Sequence, residues 1–66
     1  MRALTYREAI IVRRVADGMP DAEIARLLFL DEAAVVAYVD MAMDKLEVAD
    51  RSELVERLTV RRARAA

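Results

Sequence analysis

Carboxylates are the side chains of this 66-residue chain best equipped for chemistry. Asp31, Glu32, Asp40, Asp44 and Glu47 crowd into positions 31–47, where Lys45 is the one base. Asp40 and Asp44 stand four apart, which places both on one face of a helix. A carboxylate pair of that kind can serve acid–base work or grip a divalent cation. Neither use is supported by the rest of the chain. There is no His and no Cys, and the single Gly leaves no phosphate-cradling loop. Two monodentate acids make a poor cation site. The pair therefore reads as surface charge, and neither catalysis nor a metal or other cofactor is expected.

Arginine supplies the opposite chemistry, attraction to phosphate. Residues 1–14 carry four Arg and one Glu, residues 15–56 carry three bases and eleven acids, and residues 57–66 carry four Arg. An acidic body thus lies between two basic ends, although the formal net charge is only −1. Arg7, Arg13 and Arg14 at one end, with Arg61 and Arg62 at the other, are the candidates for nucleic-acid contact.

Short helices are needed to position these groups. Hydrophobic residues make up 58% of the chain, with one Gly and one Pro, which suits one small all-α domain over residues 1–66. Thr5-Tyr6-Arg7-Glu8 fits a capping box. Ile11, Val12, Val15 and Ala16 then form a helical stripe that Gly18 is placed to end. Pro20 and Asp21 open a second helix, with Ile24, Ala25 and Leu28 facing inward. Asp31 is a good N-cap for a third helix to about Leu46, with Val35, Val39, Ala42, Met43 and Leu46 inside. Asp50 caps a fourth helix carrying Leu54, Val55 and Leu58. Residues 59–66 read as a frayed basic tail. Met1 reads as a native start. No apolar stretch nears the roughly 20 residues of a membrane span, and no signal-peptide core follows Met1, so a cytoplasmic location without membrane contact is expected.

Leu4-Thr5, Arg7-Glu8, Ala16, Gly18, Glu23-Ile24-Ala25, Leu28-Phe29-Leu30, Glu32, Val35, Val39, Lys45-Leu46, Val48 and Arg51 fall in one register, which resembles the LuxR/GerE-type helix-turn-helix domain over residues 4–58. Region 4 of sigma factors shares the opening pattern, but the Lys45-Leu46 to Arg51 stretch favours the LuxR type. The resemblance implies a compact four-helix fold and a third helix lying in the DNA major groove.

The outward residues of that helix depart from the family. Ala34-Val35-Val36 stands where Thr-Val-Lys is typical, and Tyr38 where His is common. Pro20-Asp21-Ala22 replaces Ser-Asn-Lys, and Glu47 a helix-ending Gly. Ile10 and Leu27 are apolar where the family is usually polar. The expectation is a regulator-like protein whose third helix, through Val36, Tyr38, Asp40, Met41 and Asp44, meets protein rather than DNA. The partner would be a second copy or a component of the transcription machinery. Sequence-specific DNA binding through the Arg-rich ends is the alternative, disfavoured by the acidic helix.

Overall fold

Each helix begins where the sequence offers an acceptor or a proline. The computed structural model describes residues 2–65, with side chains described over 2–59. Helices α1 (Tyr6–Ala16), α2 (Asp21–Leu28), α3 (Glu32–Leu46) and α4 (Arg51–Ala65) follow in order, with no strand among the described residues. The expected capping box starts α1: the Glu8 N–H donates to Thr5 Oγ1 at 3.1 Å, and the Thr5 N–H donates to Glu8 Oε1 at 2.8 Å. Pro20 caps α2 in an extended conformation without a side-chain bond. The Ala34 N–H donates to Asp31 Oδ1 at 2.8 Å to start α3. At α4 the Glu53 N–H donates to Asp50 Oδ1, while the Glu53 carboxylate reaches back to the Ala49 N–H.

The first three helices end alike. Met19 N–H closes on the Arg14 carbonyl at 3.0 Å, Leu30 on Ala25 at 2.8 Å, and Val48 on Met43 at 3.1 Å. This closure is the Schellman motif, which bends through a left-handed residue. That residue is Gly18 (φ 87°) after α1, but Phe29 after α2 and Glu47 after α3, both at φ 58°. Left-handed backbone is costly for residues with a Cβ, by about 1–2 kcal/mol.

Helix α3 packs against α1 and α2, and α1 packs against α4. The shared core is Ile11, Val12, Ile24, Ala25, Val35, Val39, Ala42, Val48 and Leu54. Each fully buried Ile, Leu or Val contributes about 1.5–3 kcal/mol from burial. Three residues, Phe29 to Asp31, join α2 to α3, so the pair forms a helix-turn-helix. No helix among the described residues is long and apolar enough to cross a membrane.

The stretch expected to form a frayed tail, residues 59–66, falls on the last turns of α4 and on Ala66. The side chains of Arg61 and Arg62 lie outside the described residues.

Candidate interaction face on the third helix

The two sides of α3 separate cleanly. Val35, Val39 and Ala42 face the core with no exposure. Glu32, Ala33, Val36, Ala37, Asp40, Met41 and Asp44 are exposed. Their spacing of i, i+1, i+4, i+5 and onward makes one continuous face. Val36 is 41% exposed and Met41 46%. Three acids and four apolar residues thus share a surface to which the helix itself contributes no cation, although the Arg2 guanidinium reaches Asp44 at its end.

Four of the five residues singled out on this helix, Val36, Asp40, Met41 and Asp44, are brought together on that face. Tyr38 is not. It is half-buried and packs against the core, on the flank of the helix. Ile10 on α1 is likewise half-buried, whereas Leu27 on α2 is exposed.

Lys45, the helix's one base, is turned away from the outer face. Its Nζ donates to Glu8 Oε1 at 2.7 Å, with the two side chains only 21% and 3% exposed. The Lys45 hydrogen bond, then that of the Thr5 N–H, holds the Glu8 carboxyl below its ordinary range, against the opposing effect of burial. Glu8 was legible as half of a capping box; its second partner, 37 residues away, was not.

The carboxyl end of α3 is tied down by three contacts from two arginines. The Arg2 N–H donates to the Lys45 carbonyl at 3.2 Å, and Arg57 Nη1 donates to the Leu46 carbonyl at 2.9 Å. Arg2 also pairs with Asp44 through its guanidinium. Cations at this end complement the helix dipole. The Arg2–Asp44 pair is largely exposed and worth little in stability. It does divert Asp44 from acting with Asp40 as a cation-binding pair.

A second tie joins α2 to α4. Arg51 donates from Nη1 and Nη2 to the two Asp21 oxygens, both at 2.9 Å, a two-pronged geometry. These bonds, with a smaller contribution from the Asp40 charge, raise the Arg51 pKa further above its ordinary value. The pair sits at the edge of an open groove between the α1–α2 turn and α4, lined by Val15, Met19 and Val55 among others.

The candidate phosphate-binding residues Arg7, Arg13 and Arg14 are all exposed on the outward side of α1. None lies on the outward face of α3.

The family model for bacterial regulatory proteins, luxR family (GerE), matches residues 2–58. The chain is 42% identical over 50 residues to the uncharacterized transcriptional regulatory protein YhcZ of Bacillus subtilis (strain 168), covering 76% of this chain and 23% of that protein. It is 41% identical over 54 residues to the transcriptional regulatory protein DesR of the same organism, covering 82% of this chain and 27% of that one. The chain therefore spans about a quarter of the length of these curated relatives. No solved structure matches it significantly.

Proposed function

The chain belongs to the luxR family of bacterial regulatory proteins, and from that premise we propose that it is a cytoplasmic transcription regulator whose α3 contacts protein in place of a DNA groove. The observation that carries this reading is the outer face of α3. Its own residues supply Glu32, Asp40 and Asp44 and no cation; Asp44 is paired with Arg2 from the N-terminal segment, and Lys45 is held against Glu8. A helix seated in a DNA groove needs cations for phosphates and donors for base edges. Each acid near a phosphate instead adds repulsion on the order of 1 kcal/mol, weakened by salt. With Asp44 paired to Arg2, the two remaining acids together cost on the order of one decade of affinity. Exposed Val36 and Met41, rimmed by acids, suit a protein partner, which is a second copy or a component of the transcription machinery.

The family's usual activity supplies the second reading, in which the domain binds specific DNA. Its support is the exposed trio Arg7, Arg13 and Arg14. Titration of labelled duplex DNA at low salt, followed by fluorescence polarisation, separates the two. The protein-contact reading expects weak binding that does not depend on sequence. Tight, salt-sensitive binding to a defined duplex would sink it.

A further inference from the structure

The outward faces of α1 and α3 complement one another, and both are exposed. Arg7, Arg13 and Arg14 are exposed on α1, with Tyr6 84% exposed and Ile10 half-buried on the same side. One acid, Asp17, follows at the helix end. On α3 the exposed acids Glu32 and Asp40 stand beside Val36 and Met41, with Asp44 beyond them paired to Arg2. Both surfaces therefore mix apolar groups with charge, of opposite sign. Their spacings also agree. Arg7 and Arg14 stand about 10 Å apart along α1, and Glu32 and Asp40 about 12 Å apart along α3, at roughly 1.5 Å per residue.

We propose that the occupant of the α3 face is a second copy of this chain, docked through its basic α1 face. The inference rests on the protein-contact reading of α3 and names its partner. Helices α1 and α3 pack on each other through Ile11, Val12, Val35 and Val39, so their outer faces look to different sides of the molecule. A contact between unlike faces is heterologous: each copy keeps one face free, and assembly continues beyond a dimer unless the rotation closes a ring. Ion pairs at the rim set the alignment, while Tyr6, Val36 and Met41 supply the apolar contact favoured at such interfaces. The assembly is salt-sensitive because its charges are exposed.

Sedimentation velocity over a range of concentration and salt, with two charge-reversed variants, tests this. One variant is Arg7→Glu/Arg14→Glu; the other is Glu32→Lys/Asp40→Lys. All four positions are exposed, and circular dichroism checks that helicity is kept. The wild-type average mass is expected to rise with concentration at about 0.02 M salt and to return to the monomer near 0.5 M. Each variant alone now opposes like charges and stays monomeric. An equimolar mixture restores opposite signs at both kinds of contact and recovers the mass increase. A wild-type monomer at every salt overturns the proposal, as do variants that associate undiminished alone or a mixture that fails to recover. A parallel titration of wild-type protein with duplex DNA keeps the two failures apart. A monomer that ignores DNA loses only the self-docking, whereas a monomer that binds a defined duplex tightly loses the protein-contact reading as well.

Discussion

Val35 and Val36 are neighbours in sequence and opposite in circumstance: the first is sealed in the core, the second is 41% exposed among acids. The contrast runs along all of α3. Inside, Val35, Val39 and Ala42 keep the residues that the helix-turn-helix packing demands. Outside, Glu32, Asp40 and Asp44 are exposed beside Val36 and Met41. One side is packed against α1 and α2, and the other faces outward. The packing of α3 and the chemistry of its outer surface therefore answer to separate physical demands.

Putting the same substitution on each side gives the largest expected difference. Val35→Asp buries an unpaired carboxylate, which costs several kcal/mol. Set against a total stability of about 5–15 kcal/mol, that leaves little folded protein, and the helical circular dichroism signal is expected to collapse at 25 °C. Val36→Asp changes stability by less than about 0.5 kcal/mol. Equal losses at the two positions would end the distinction between faces.

The next effect concerns the outer face alone. Val36→Lys combined with Asp40→Lys removes one acid and adds two cations. We expect duplex affinity at low salt to rise by at least tenfold, and the slope of log K against log salt to steepen by about 1 for each new phosphate contact. Unchanged polarisation titrations would show that the charge of α3 does not govern DNA binding.

Glu8 and Lys45 mark the border between the faces, and pH probes them. The Glu8 pKa lies below its ordinary value of 4.5 in the folded state. Unfolding therefore favours proton uptake, so the stabilisation is fully present above about pH 4.5 and is lost as pH falls through the folded value. Urea midpoints measured from pH 7 down to pH 3 are expected to fall in that lower range, and Glu8→Gln to flatten the fall. A variant that keeps the wild-type acid limb would assign it to other carboxylates.

The smallest effect sits where α2 turns toward α3. Phe29 is 95% exposed and left-handed. Phe29→Gly gives up almost no packing and relieves the backbone, for a gain of about 0.5–1 kcal/mol in thermal or urea unfolding. A loss instead would show that the ring is held by contacts not apparent from its exposure.

Much of this was legible in the sequence because it is local. Thr5 with Glu8, Asp31, Asp50 with Glu53, and Gly18 each act within a few residues of themselves. The apolar period then orients each helix. Helical period alone set Tyr38 outside the main stripe, but its ring is long enough to lean back on the core from the flank. The ties between helices had no such signature. Nothing periodic connects Glu8 to Lys45 or Asp21 to Arg51, which meet only because the core brings their helices together. The packing residues are displayed openly by the helical period of the sequence; the outer face of α3 follows no such period, because its side chains make few contacts within the fold.

That division between near and far has a consequence for how the chain finds its shape. Caps that close within three to five residues can form on the time scale of helix formation itself. The Glu8–Lys45 and Asp21–Arg51 pairs join residues 37 and 30 positions apart and must wait for the helices to meet. Interactions made after the transition state slow escape from the native state more than they speed arrival. These two pairs are thus latches, whose removal shows chiefly in the unfolding arm of a chevron plot, while the folding arm stays near that of the intact chain.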